Sequence, residues 1–228
     1  MTRLEELSPR LRAIAERVPP GRPLADLCCD HAQLAAALVV EGRVPWAIAA
    51  DLNPGPLRAA TALVAALGIG DRVTLRQGDG ASVLAAGEVA TVVIAGVGAP
   101  LAETILAEGQ ASLAGVSRLI VQVNHGFPKL GRLRARLGEL GWALVDEAIA
   151  EDQGRLYPIL VAEPGAPGLL DETDRELGPI LRRSADPLTR AWFERERSRV
   201  ERALAGMQRG SADAEALAQY RRYLELLG

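Results

Sequence analysis

The chain has 228 residues, of which 49% are hydrophobic and 24% charged, and its formal net charge is −3. These values exclude an intrinsically disordered chain and a strongly basic protein, so any nucleic-acid contact must depend on local patches. No apolar run approaches the ~20 residues needed to span a bilayer, and the acidic N-terminus lacks the apolar core of a secretory signal. We therefore expect a cytoplasmic protein without a membrane anchor.

The first predicted element is an amphipathic helix. Ser8-Pro9 can cap and start its main segment, and Pro19-Pro20-Gly21 ends it. Its apolar residues recur every third or fourth position, as on one face of a helix: Leu4, Leu7, Leu11, Ile14 and Val18.

Short apolar runs then alternate with helical stretches. The predicted strands are Pro23–Cys29, Trp46–Leu52, Val73–Arg76, Thr91–Ala95 and Arg118–Val123. The predicted helices between and after them are His31–Glu41, Pro54–Leu67, Pro100–Glu108 and Pro128–Leu140. Apolar strands that alternate with helices are typical of a parallel sheet covered on both faces.

Two further strands, Ala143–Ala150 and Tyr157–Ala162, are separated only by the turn Glu151–Gly154. Parallel strand–helix units closed by an antiparallel hairpin are the strand plan of a class I methyltransferase that uses S-adenosylmethionine (SAM). We therefore predict an α/β, Rossmann-like fold with a mostly parallel seven-stranded sheet.

A Pro- and Gly-rich linker at 164–168 precedes three predicted helices, Glu172–Arg183, Pro187–Gln208 and Ala212–Leu227. We expect two domains, residues 1–163 and 169–228, the second containing a helical coiled-coil hairpin with its turn at Gly210-Ser211. The charged run 194–199 indicates that this hairpin protrudes into solvent. The apolar positions expected to face one another across it are Leu188, Trp192, Val200, Leu204 and Met207 on one side and Leu217, Tyr220, Leu224 and Leu227 on the other.

In such a sheet, ligands bind at the carboxyl ends of the strands. The first of these loops contains Asp26, Cys28, Asp30 and His31 but no glycine, so it does not match a phosphate-binding G-x-G-x-x-G turn. SAM carries no phosphate, and Asp26 and Asp30 are candidates to hold its amino group. Asp30 can alternatively cap the following helix. The adjacent cysteines predict neither a disulfide nor a metal site.

The next two strand ends carry further carboxylates. Asp51 can accept hydrogen bonds from both ribose hydroxyls, or can simply be a solvated residue. Asp79 can accept from the adenine amine while Gly78 and Gly80 allow close approach of the ring, although Gly-Asp-Gly also suits a plain turn.

The fourth and fifth strand ends indicate the substrate side. Enzymes that methylate exocyclic amines usually carry Asn or Asp followed by Pro-Pro after the fourth strand. This sequence has the small residues Ala95-Gly96 there, so methylation of an exocyclic amine is not predicted. Asn124 follows the fifth strand. Phe127 can stack on a base or pack against the next helix. That helix carries four basic residues that can contact phosphate or form a solvated face: Lys129, Arg132, Arg134 and Arg136.

Several segments, taken in chain order, resemble the TrmK family, the bacterial tRNA (adenine(22)-N1)-methyltransferases. Among them are LADLCCDHAQLA, VVIAGVGAPL and GWALVDEAIAEDQGRLYPILVAEPG. The resemblance covers essentially the whole chain and implies methyl transfer from SAM to an adenine N1 in tRNA, with the coil gripping the tRNA. The family usually has Gly at Cys28, Pro at Val123 and often Glu at Asp51. The residues that the resemblance and the strand ends together assign to the cofactor are Asp26, Cys28, Asp30, His31, Asp51, Leu52, Gly78, Asp79, Gly80, Ala95 and Gly96.

Adenine N1 has an in-plane lone pair, so it can attack the methyl group without losing a proton first, and alignment supplies most of the catalysis. A group that accepts from the adenine amine can raise the basicity of N1. Asn124 and the backbone carbonyls of 95–97 are the leading candidates, followed by Asp30. The alternatives are a methyltransferase for another RNA or a small molecule, and a non-catalytic relative with an altered SAM loop.

Overall fold

The computed structural model describes residues 6–124, 126, 128–166, 168, 170–209 and 214–228. Its strands are β1 (Leu24–Leu27), β2 (Ala47–Asp51), β3 (Val73–Gln77), β4 (Thr91–Val97), β5 (Arg118–Val123), β6 (Trp142–Asp152) and β7 (Arg155–Pro164). They form a seven-stranded sheet in the order β3-β2-β1-β4-β5-β7-β6. The first five strands are parallel, and β7 pairs antiparallel with both β5 and β6. The predicted fold class is confirmed.

Helices cover both faces of this sheet, as the continuously apolar strands require. They are α1 (Pro9–Glu16), α2 (Gln33–Val40), α3 (Pro54–Leu67), α4 (Ala99–Glu108), α5 (Lys129–Glu139), α6 (Glu172–Leu177), α7 (Pro187–Arg209) and α8 (Ala214–Leu226). Side chains of α1, α2 and α3 form a core on one face, whereas those of α4, α5 and the start of α7 form a core on the other. The carboxyl edge of the sheet lies between these two layers.

The start of α1 matches its prediction. The hydroxyl of Ser8 accepts a hydrogen bond from the Leu11 N–H at 3.4 Å, with Pro9 in the first helical position. The Arg17 guanidinium binds the Asp146 carboxylate at 2.8 Å and fixes the helix to β6.

The loop before α2 differs from its prediction. Cys28, Asp30 and Ala32 have φ values of 59°, 52° and 55°, in the left-handed region that glycine usually occupies. The helix therefore begins at Gln33, and its N-cap residue, Ala32, makes no side-chain cap. The alternative that Asp30 caps a helix starting at His31 is wrong.

The C-terminal helices form, with two corrections. The first ends at Leu177, because Gly178 has φ 94° and Pro179 follows it, and only a 3-10 turn over Leu181–Arg183 continues. Trp192 packs into the core of the sheet instead of facing α8, as does Leu188, whereas Val200 packs near Tyr223 of α8. The predicted turn at Gly210-Ser211 lies outside the described residues.

The charged run 194–199 is also not a wholly solvated face. Glu196 is 5% exposed and its carboxylate pairs with Arg199 at 2.7 Å. A Cβ atom at Gly126 would overlap the Glu196 carboxylate, so this part of α7 lies directly against the loop after β5. The first half of α7 is thus part of the body of the protein.

Candidate functional site

A cavity of about 690 Å³ opens at the carboxyl edge of the sheet, within the ~300–1,000 Å³ typical of small-molecule sites. The structure brings all the predicted cofactor residues together, because parallel strands end at one edge. The residues that line it include Asp26, Cys28, Asp30, His31, Asp51, Leu52, Gly78, Asp79, Gly80, Ala95 and Gly96. Their individual roles remain predictions.

Asp51 is held in place by backbone amides at the end of β2. Its Oδ1 accepts from the Asn53 N–H at 2.9 Å, and its Oδ2 accepts from the Asp30 N–H at 3.3 Å. Asn53 Nδ2 also donates to Oδ1, at the longer distance of 3.4 Å. A carboxylate oxygen has two lone-pair sites, so Oδ2 can still accept from a ligand, and a ligand hydroxyl can replace the long Asn53 side-chain contact at Oδ1. The loop geometry thus orients a strong pair of acceptors toward the cavity.

Asp26 is 4% exposed at the end of β1. Burial raises the pKa of its carboxyl to about 7, although a backbone hydrogen bond involving Ala35 and the charge of Arg10 oppose this increase. The neighbouring Asp51 raises the pKa further. Asp26 therefore changes charge near neutral pH, in a cavity where a cationic ligand would favour the ionised form.

This pKa predicts a pH-dependent stability. The folded protein binds the Asp26 proton more tightly than the unfolded chain does, so the stabilisation is complete below about pH 4 and is lost as pH rises through about 7. Relative to Asp26→Asn, the wild-type free energy of unfolding should fall by ~3–4 kcal/mol between these values. Urea titrations at several pH values measure this difference, with Asp79→Asn, whose carboxylate is exposed in the same cavity, as control. A difference from Asp26→Asn that is independent of pH would contradict the prediction.

The two glycines after β3 are explained by the packing of the protein itself. A Cβ atom at Gly78 would lie 2.5 Å from Val83 Cγ1, and one at Gly80, which has φ 50°, would lie 2.9 Å from Ile105 Cγ1.

Leu52 and Leu101 line the same cavity and are 57% and 46% exposed. These two side chains offer the apolar surface that a planar ring needs.

A hydrogen-bonded network that the sequence did not predict fixes the bulge of β4. The Gln122 side chain is buried, and its Oε1 accepts from Arg10 Nη1 at 2.6 Å and from the Gly96 N–H at 2.9 Å. Asn124 donates from Nδ2 to the Gly96 carbonyl at 2.7 Å, and its backbone N–H donates to the Val97 carbonyl at 2.9 Å. Gln122 could have been singled out from the sequence, because it is a polar residue between two valines of an apolar strand. The placement of Arg10 depends on how α1 crosses the sheet, which no local pattern predicts.

Asn124 does not line the first cavity. It lines a second one, of about 460 Å³, between the loop after β5, the start of β7 and α7. Its lining residues are Asn124, Gly126, Arg155, Leu156, Tyr157, Trp192, Arg195, Glu196 and Arg199.

The predicted substrate residues on α5 line neither cavity. Lys129 is exposed, Arg132 lies 3.7 Å from Glu103, and Arg136 pairs with Glu139 at 2.8 Å. Arg134 is fully buried, so its proposed phosphate contact is wrong. Phe127 lies outside the described residues.

The two cysteines are free thiols. Burial raises the pKa of Cys28 to about 11 and that of Cys29 further, so both are neutral at pH 7. Within the described ranges, no three His, Cys, Asp or Glu side chains are grouped so that they could bind a metal ion. None of the helices in that part of the chain has the length and apolarity to cross a membrane.

Known proteins are similar to this chain in sequence. Residues 7–160 match the family model described as "Methyltransferase domain". A tRNA (adenine(22)-N(1))-methyltransferase of Bacillus subtilis is 38% identical over 161 residues, which is 70% of this chain and 66% of that protein, slightly less than two thirds of its length.

Solved structures match over nearly the full chain. The B. subtilis m1A22 tRNA methyltransferase TrmK is 31% identical with a TM-score of 0.86, covering 97% of each chain. A Streptococcus pneumoniae protein, a candidate tRNA (m1A22) methyltransferase in complex with S-adenosyl-L-methionine, is 32% identical with a TM-score of 0.85, covering 97% of this chain and 100% of that one. The chain therefore belongs to the TrmK family of methyltransferases.

Proposed function

We propose that this protein transfers a methyl group from SAM to N1 of an adenine in tRNA, at the position, 22, named for its relatives. The observation that carries the proposal is the acidic cavity at the carboxyl edge of the sheet. Its lining contains five aspartates but only one arginine, Arg10. Such a lining suits a small ligand that carries a sulfonium and an ammonium group.

The residues present fit SAM. In this proposal Asp51 accepts from the ribose hydroxyls, Asp26 and Asp30 face the ammonium group, and Leu52 and Leu101 flank the adenine ring; all five line the cavity. Cys28 packs its half-buried side chain against the core while lining the cavity. When bound, SAM supplies an electrophilic methyl carbon.

The chain needs no general base for this reaction, because adenine N1 attacks through a lone pair that carries no proton. Its residues must instead orient the base and exclude water. Asn124 Oδ1 already accepts from Gln122 Nε2 at 3.2 Å, which fixes the amide so that its remaining lone pair can accept from the adenine amine. The Gly96 and Val97 carbonyls each accept one hydrogen bond from Asn124 and also keep a lone pair, so they are candidates beside its side chain, followed by Asp30.

The tRNA is larger than either cavity and must contact other surfaces. We infer that residues 1–163 form the methyltransferase domain and that residues 169–228, of which the first half of α7 packs against it, form a helical domain that contacts the tRNA. Exposed Lys129 and Arg132 and half-buried Arg136, with Phe127, are candidates for further contacts. A tRNA substrate also implies a cytoplasmic location.

A methylation assay tests the proposal. Purified protein, SAM labelled in its methyl group and unmodified tRNA transcripts are incubated, and digested RNA is analysed for N1-methyladenosine. We expect the product with wild-type tRNA and none with a transcript in which adenine 22 is replaced by guanine. Methyl transfer only to other RNA or small molecules would overturn the tRNA assignment, and no calorimetric binding of S-adenosylhomocysteine would overturn the enzyme assignment.

A further inference from the structure

The second cavity adjoins the first and has the opposite charge. Arg155, on β7, is exposed and makes no ion pair with any residue that the structure describes. Arg195, on α7, donates to the Gly154 carbonyl at 2.8 Å, which brings its guanidinium against the β6–β7 turn. Arg199 is paired with the buried Glu196. The lining therefore keeps a net charge of about +2.

Two aromatic side chains line this cavity. Trp192 is 5% exposed, and Tyr157 is half-buried with the Arg10 guanidinium 5.5 Å from the centre of its ring. Arginine forks bind phosphates in a bidentate manner, and an exposed aromatic face can stack on a base. Basic and aromatic groups together are the chemistry of a nucleotide site rather than that of an acidic peptide site.

The two cavities share a wall. Arg10 lines the acidic cavity and lies over Tyr157 of the basic one, and Asn124 of the basic cavity binds Gly96 of the acidic one. A nucleotide in the basic cavity would thus lie next to a ligand in the acidic cavity, and repulsion by the aspartates would keep phosphates out of the latter.

We propose that the basic cavity binds the RNA nucleotide adjoining the target adenine. Arg155 and Arg195 hold its phosphodiester, and the ring of Tyr157 contacts its base. This rests on the proposed function and extends it, because it assigns the RNA backbone to a site between β7 and α7 rather than to α5.

The test compares Arg155→Gln/Arg195→Gln with Arg22→Gln/Arg72→Gln, which removes two exposed arginines that precede β1 and β3, at the amino edge of the sheet and outside both cavities. Fluorescence anisotropy of labelled tRNA at several salt concentrations gives the Kd of the full-length proteins. We expect the cavity variant to raise Kd about 10-fold and to reduce the slope of log K against log salt by about 1.4, at ~0.7 per contact to a single strand. The control should change Kd less than about 2-fold, and S-adenosylhomocysteine affinity should be unchanged in both.

The outcomes separate the two proposals. If wild-type protein methylates tRNA and the cavity variant binds tRNA as the control does, the assignment of this cavity is wrong while the proposed function stands. If wild-type protein neither binds nor methylates tRNA, the proposed function is wrong, and with it the cavity assignment that rests on it. A cavity variant that loses affinity for adenosine monophosphate but not for tRNA would show a site for free nucleotides and would also overturn the assignment.

Discussion

Replacing Glu147 with Gln should lower the free energy of unfolding by about 3–5 kcal/mol, because it leaves the charge of Arg134 buried and unpaired. Both side chains are fully buried, with Arg134 Nε 2.7 Å from Glu147 Oε1. Glu147 Oε2 also accepts from the Ile180 N–H at 2.9 Å. Arg134 Nη1 in turn donates to the Glu176 carbonyl at 2.7 Å. The pair therefore joins α5 and β6 to the segment that leads into α7.

Urea unfolding followed by tryptophan fluorescence measures this loss. Arg136→Gln is the matched control, because this residue lies two positions further along α5 in a partly exposed pair with Glu139, and should cost at most ~1 kcal/mol. Equal stability of the two variants would contradict the prediction. Limited proteolysis should cleave the Glu147→Gln protein first near residues 175–187, where the backbone groups held by the pair are released.

Replacing both partners with methionine should not restore stability. A buried ion pair can often be exchanged for apolar residues at little cost. Here, however, the pair also satisfies backbone groups of the segment before α7, and these would be left without partners. Recovery of wild-type stability in Arg134→Met/Glu147→Met would show that these backbone bonds contribute little.

The position of Arg134 could have been predicted from the sequence. Leu130, Leu133 and Leu137 form the apolar stripe of α5, and the helical period places residue 134 on that stripe. The four basic residues of the helix therefore cannot form one surface, because the helical period separates Arg134 from the others. Arg132 and Arg136, which lie off the stripe, are not buried.

The first cavity was predictable for a different reason. Once the strands were identified, parallel topology brought their carboxyl ends together, so Asp51 and Asp79 could be placed in one site without knowledge of their contacts. The left-handed backbone of the β1–α2 loop could not be predicted. Cys28, Asp30 and Ala32 have no special preference for positive φ comparable to that of glycine, and only the surrounding structure imposes it.

The largest effect on ligand binding is expected at Asp51. Asp51→Asn should weaken SAM binding by roughly 10–100-fold, because a hydrogen bond to a charged acceptor contributes about 1.5–3 kcal/mol and the amide keeps only one acceptor oxygen. Isothermal titration with SAM and S-adenosylhomocysteine measures the change.

Asp51→Glu is the informative companion, since the charge is retained. It should bind within about 10-fold of wild type, the remaining loss reflecting the longer side chain. Because Asp51 also accepts from the N–H groups of Asp30 and Asn53, the unfolding free energy of each variant must be measured alongside. If Asp51→Asn binds SAM as tightly as wild type while keeping its stability, the carboxylate serves only to order the loop. If affinity falls without a matching loss of stability, Asp51 binds the ligand directly, as its position at the end of β2 indicates.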